Sequence, residues 1–261
     1  MVPLFLLCEY VSHSYLSCIC ECHSLQISYK WHSEELFFGR INQNSRLQYL
    51  SLIENILNRT DWQTVMQGPF GPIIKIMKNM KLSAQLIHHV LFRQLDTKKQ
   101  FETWYDLGGQ PCRFSMEEFR LITGLNCGMP DEEDSKQDKN AVFEFFGVRS
   151  ITIANLLNKF LAYREDNVYK MKMALLLILE GVVLGGDKKR KVRPFHVKLT
   201  EDLDRFNNFP WGRSAYLDLH QSLASSLDTR MESVQAALAV SDNARAGYTI
   251  RGFPMVFQVM C

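Results

Sequence analysis

Apolar residues recur along most of this chain at the three-and-four spacing of amphipathic helices. Leu47, Leu50, Ile53, Ile56 and Leu57 mark a first helix. Gly68-Pro69 and Gly71-Pro72 then break the pattern, and Pro72, whose φ is already helical, suits the first position of a helix from Ile73 to Met80. Ser83 is placed to cap a helix whose stripe is Leu86, Ile87, Val90, Leu91 and Leu95. Thr152 caps another, with Ile151 and Leu156 as its hydrophobic staple. Val168 to Leu184 is the most apolar helix and predicts the centre of the core. Phe195 to Leu199 reads as a short strand. Thr200, followed by acidic residues at 201, 202 and 204, opens a short helix that ends before Pro210. Ala215, Leu219, Leu223 and Leu227 mark a last amphipathic helix, and no repeat of fixed period is present.

The pattern changes between residues 101 and 128. FETWYDL, then Gly108-Gly109, then QPCRF reads as two short strands around a tight turn, because two glycines tolerate positive φ at both central positions. Pro111 confines the second strand to an edge. Ser115 and Glu118 have the spacing of a capping box, Phe114 and Phe119 that of a staple, and Gly124 stands where a left-handed helix end is wanted. The predicted fold is mainly α (α+β): a multi-helix domain with a small β-hairpin at about 101–114. Residues 1–40 lack a clean period and read as a poorly ordered leader, leaving 41–261 as a single helical domain. The chain ends on FPMVFQVMC, inside an apolar element, which suggests a domain truncated at its C-terminus.

Composition adds limits. A 46% hydrophobic and 22% charged share is that of a folded chain, and a net charge of +2 is too small to draw nucleic acid through the overall field. The seven cysteines are odd in number and irregular in spacing, which favours reduced thiols and an intracellular setting. The apolar start lacks a basic region and is interrupted by Glu9 and His13, unlike a signal peptide. Met173 to Leu184 is too short for a membrane span, which needs roughly 20 residues, and it contains Glu180.

Several residue groups invite chemistry. Cys18, Cys20, Cys22 and His23 are metal-ligand types, but their spacing lacks the second pair that a zinc site needs. His88 and His89 are neighbours on a helix and point about 100° apart, so they cannot clamp one ion together. Asn126-Cys127-Gly128 has the look of a cysteine nucleophile, with His196 and His220 as the available bases. Cys127 however follows a helix C-terminus, where the dipole disfavours a thiolate. The carboxylates at 117–118, 132–134 and 201–204 are explained by capping or solubility, and there is neither a phosphate loop nor a Gly-x-Ser-x-Gly elbow. No catalytic residue, metal or cofactor is expected.

Lys188, Lys189, Arg190, Lys191 and Arg193 form a basic run, which fits a nuclear localisation signal, contacts to phosphates, or a solvated loop. Aromatic residues do not interleave with it, which argues against single-stranded nucleic acid. Trp211 and Arg213 offer either an exposed partner surface or a buried Trp211 with Arg213 paired to Asp202 or Asp204.

Five segments resemble, in order, a plant family of domains of unknown function numbered 1985 and abundant in Brassicaceae. They are FGPIIKIMK, LIHHVLFRQLDTKKQFETWYDLGGQPCRFSMEEFRLITGLNCG, ALLLILEGVVLG, HVKLTEDLDRFNNFPWGRSAYLDL and YTIRGFPMVFQVM. The resemblance spans about residues 45–260. Its most distinctive blocks are the hairpin with RFSMEEFRLITGL, and EDLDRFNNFPWGR. It implies a transposon-related gene in which the domain often precedes a SUMO-type cysteine protease domain, and it transfers no catalytic residue. Together these readings predict a non-catalytic protein-interaction or targeting domain, intracellular and preferentially nuclear, without a membrane anchor. The alternatives are a nuclear nucleic-acid-binding module through 188–193, and part of a ubiquitin-like-modifier protease gene product lacking its catalytic domain.

Overall fold

The structure is a computed structural model that describes residues 28–31, 39–131, 140–165, 167–225, 227–228, 236 and 246–260. Among these residues the fold is mainly helical, with a small antiparallel sheet, as the apolar periodicity predicts. Its centre is α8 (Val168–Ile178), in which Met173 to Ile178 are all buried. From Met173 onward the helix has no polar stripe because it has no solvent face, while Val168 in its first turn is exposed. Around it pack α1 (Gln48–Ile56), α2 (Arg59–Gln67) and α7 (Ile153–Ala162). Thr152 caps α7, accepting the Asn155 N–H at 3.2 Å.

The hairpin forms as its residues dictate. β3 (Glu102–Asp106) pairs antiparallel with β4 (Pro111–Ser115), Asp106 opposite Pro111 and Glu102 opposite Ser115. Gly108 and Gly109 take φ of 68° and 84° at the turn, a region costly for any residue with a Cβ. Asp106 donates its N–H to the Arg93 carbonyl on the other side of β3. The Asp106–Pro111 pair therefore exchanges no bond, and the missing N–H of Pro111 forfeits nothing. β4 leads directly into α5 (Met116–Thr123). The Ser115 hydroxyl accepts the Glu117 N–H at 3.1 Å, and Glu118 Oε2 accepts the Ser115 N–H at 2.7 Å. Gly124 ends the helix with φ 70°. Phe114 and Phe119 are fully buried, and each ring lies 5.8 Å from that of Tyr216.

Elsewhere the structure departs from the pattern. α4 (Ala84–Leu91), capped by Ser83, stops before Gln94 and Leu95, which form β2 beside β3. α3 (Gly71–Met77) ends earlier than Met80. α6 (Ala141–Phe146) and α9 (Pro194–Leu199) pack together. The strand expected at 195–199 is thus a helix. Phe195, Val197 and Leu199 alternate, but Pro194 presets the helical φ, and the buried side chains are His196, Val197 and Leu199. α10 (Leu203–Asn208) is capped by Asp202, which accepts the Arg205 N–H at 3.0 Å; Thr200 instead closes α9, its buried hydroxyl donating to Val197 O at 2.7 Å. α11 (Trp211–Ser225) follows.

A second sheet that no local pattern announces joins segments far apart in the chain. β1 (Gly39–Gln43) and β5 (Ala246–Ile250) run parallel, Ile41 opposite Tyr248. Beyond β5, α12 (Pro254–Met260) drives Phe257 against Tyr105 and Phe114, at ring distances of 4.9 and 5.3 Å. Within the stretch read as a leader, Lys30 donates its N–H to Gln94 O at 2.9 Å and Tyr29 bridges Leu95, extending the β2 edge.

Candidate functional site

The strongest concentration of buried charge lies where α8 gives way to a π-helical turn, Leu179–Val183. A π-turn adds one residue to the helical cycle and re-aims the side chains that follow. Here it carries Glu180, which is fully buried. Its Oε1 accepts from His196 Nδ1 at 2.7 Å and from the Arg193 N–H at 3.1 Å. Burial alone would raise the Glu180 pKa, but the His196 hydrogen bond and charge, with the Arg193 N–H and guanidinium, outweigh it and hold the carboxyl below its ordinary value. Oε2 has no hydrogen-bond partner, and Arg190 Nε stands 3.9 Å away. Arg193 reaches Asp218 at 3.4 Å. Burial raises the Asp218 pKa against the opposing pull of Arg193 and Arg251.

This cluster divides the basic run into two sets. Arg190 and Arg193 turn toward Glu180 and Asp218, while Lys188, Lys189 and Lys191 are exposed. The backbone of the run is fastened to the start of α7. Ala154 N–H donates to Lys188 O at 3.0 Å, Ile153 N–H to Arg190 O at 3.0 Å, and Val192 N–H to Ile151 O at 2.8 Å. Sequence reasoning noted Glu180 only as an interruption of an apolar run and did not single out Asp218. The available signal was the cost of a lone carboxylate in a buried helix, which demands a cation from elsewhere in the chain.

The second group of candidates surrounds Cys127. Gly212 N–H donates to Asn126 O at 2.8 Å, Asn126 Nδ2 to Asn208 O at 2.8 Å, and Arg213 Nε to Gly128 O at 2.8 Å. A Cβ on Gly212 would stand 2.5 Å from Cys127 Sγ, so only glycine lets the two segments approach this closely. Burial pushes the Cys127 thiol up to about 11, against the weaker pull of Arg120 and Arg213. A thiol so placed is almost wholly protonated at neutral pH.

Of the two placements the sequence offers for Trp211, an exposed partner contact or the core, the structure takes the core, and the side chain is fully buried. Its indole N–H donates to Phe206 O at 2.7 Å, and its ring packs against Phe209 and His196, 4.3 and 5.1 Å away. Arg213 bonds the Gly128 carbonyl rather than pairing with Asp202 or Asp204. The hydrophobic demand of a large indole explains the burial: α11 begins at Trp211, and the side chain is the wedge that seats it.

The histidines disperse. His88 is buried, with Nδ1 2.8 Å from Tyr248 Oη, and His89 is exposed. Burial lowers the pKa of His220, whose Nε2 has no partner. Among the described residues no group of three or more His, Cys, Asp or Glu could hold a metal, and no helix is long and apolar enough to cross a membrane. Cys18, Cys20, Cys22, His23 and the acidic residues 132–134 lie outside the described residues.

No curated protein and no solved structure matches the chain. A family model described as a domain of unknown function, DUF1985, matches residues 91–222, a narrower span than the resemblance suggested. The matched stretch runs from the end of α4 into α11 and takes in both the capped hairpin and the Trp211 block that docks beside Cys127. With slightly more than half of its length matched, the chain belongs to the DUF1985 family of domains of unknown function.

Proposed function

We propose that this domain is a non-catalytic protein-interaction or targeting module of a transposon-related plant protein, working inside the cell and preferentially in the nucleus. The observation that carries the reading is the docking of the EDLDRFNNFPWGR block onto the segment that follows the capped helix, through Asn126, Gly128, Gly212 and Arg213. Residues that look like machinery in the sequence serve there as a joint between segments. Cys127 fits the same reading, because its thiol is pushed up to about 11, far from what a nucleophile requires. Glu180 and His196 are spent on each other inside the core.

The test combines two measurements on the full chain. Incubation with an electrophilic ubiquitin-like-modifier probe, followed by mass spectrometry, is expected to leave Cys127 unmodified. Cross-linked capture from plant nuclear extract is expected to recover a stoichiometric protein partner. A probe adduct on Cys127 would overturn the non-catalytic reading, and a chain recovered alone would overturn the interaction reading.

A further inference from the structure

The division within the basic run carries an inference independent of any protein partner. Arg190 and Arg193 are partly exposed and reach back toward Glu180 and Asp218, at 3.9 and 3.4 Å, while Lys188, Lys189 and Lys191 face solvent without an ion pair among the described residues. The loop carrying them is fixed. Three backbone bonds tie it to residues 151–154, Arg190 N–H donates to Asp187 O at 2.9 Å, and Lys189 N–H to Asp187 Oδ1 at 2.8 Å. Three ammonium groups are thereby held on one short rigid frame, with little backbone entropy left to lose on binding a polyanion.

We propose that Lys188, Lys189 and Lys191 form a phosphate-contacting surface for double-stranded nucleic acid, and that Arg190 and Arg193 position this loop without touching the ligand. A duplex suits the arrangement because its charges are dense enough for neighbouring lysines each to find a phosphate. Lysine acts there as a compact point charge that positions without reading sequence. Single strands are disfavoured because the loop offers no aromatic stacking platform.

The experiment is fluorescence anisotropy of the full chain with a labelled mixed-sequence DNA duplex of about 20 base pairs, across a salt series. Three phosphate contacts give a log–log slope near about −2.7, so affinity falls about 40-fold between about 50 and 200 mM salt. Changing Lys188, Lys189 and Lys191 together to Gln should abolish the slope, and each single change should reduce it by about 0.9. Arg190→Gln with Arg193→Gln should lower thermal stability yet keep the slope while the protein is folded. The proposal is overturned by absent binding at low salt, by a slope insensitive to the lysine changes, or by poly-glutamate competing as well as duplex DNA.

Discussion

Replacing His196 by Leu tests whether Glu180 is an ionised carboxylate held inside the core. The substitution conserves bulk and keeps the backbone, so α9 retains its packing, but it removes the donor 2.7 Å from Glu180 Oε1. Glu180 is then left with the Arg193 N–H at 3.1 Å and with Arg190 at 3.9 Å, too far for a hydrogen bond. Breaking a buried pair by removing one partner costs about 3–5 kcal/mol, because the other charge stays desolvated. For a chain of this size that corresponds to a fall in Tm of about 10 °C. Glu180→Leu combined with His196→Leu removes both partners and should recover most of the loss, giving a strongly non-additive cycle. Urea denaturation at neutral pH, followed by circular dichroism, measures each single variant and the double. The pH dependence follows in sign. Glu180 is held below its ordinary value of 4.5. Its stabilisation is therefore fully present above that pH and is lost as the pH falls through the lowered folded value, and Glu180→Gln should remove this part of the acid limb. The reasoning is refuted if His196→Leu costs less than about 1 kcal/mol, or if the two single losses simply add.

Gly212→Ala should destabilise the domain by about 1–3 kcal/mol in a thermal melt, since the added carbon would lie 2.5 Å from Cys127 Sγ and 2.8 Å from Asn126 O. Cys127→Ala should relieve only part of this, because the backbone contact remains. Alkylation of Cys127, followed by peptide mapping, should be slow at neutral pH and accelerate only as pH approaches about 11; rapid labelling at pH 7 would contradict the burial argument. A fragment limited to residues 91–222 should fail to show a cooperative unfolding transition, because it lacks Phe257, which packs on Tyr105 and Phe114, and Tyr49, which packs on Gly181.

Local chemistry made part of this protein legible without coordinates. Gly108-Gly109, the Ser115–Glu118 capping box and Gly124 specify their conformations within a few residues, and each adopts the geometry its residue types require. The unbroken apolar run from Met173 in α8 announces a buried helix for the same reason, since burial on every side there leaves no polar face to select. Where a local pattern admitted two periods, as at Phe195 to Leu199, the proline and the packing decided for helix. β2 interrupts the apolar stripe of α4 because a partner strand, absent from the local window, offers Leu95 a better place.

The helical class, the hairpin and the capped helix are legible along the chain because they rest on interactions spanning only a few residues. Long-range packing set the parallel pairing of residues 39–43 with 246–250, chose the buried reading of Trp211 over the exposed one, and separated the basic run into arginines turned toward Glu180 and Asp218 and lysines without an ion pair among the described residues. The strand pairing and the Arg193–Asp218 contact need partners distant in the chain, whereas Trp211 is enclosed by Phe206 and Phe209 close by and by His196 from α9, and Arg190 and Arg193 meet Glu180 across the turn that follows α8. A residue type states what a side chain needs, and only the fold supplies the neighbour that meets the need.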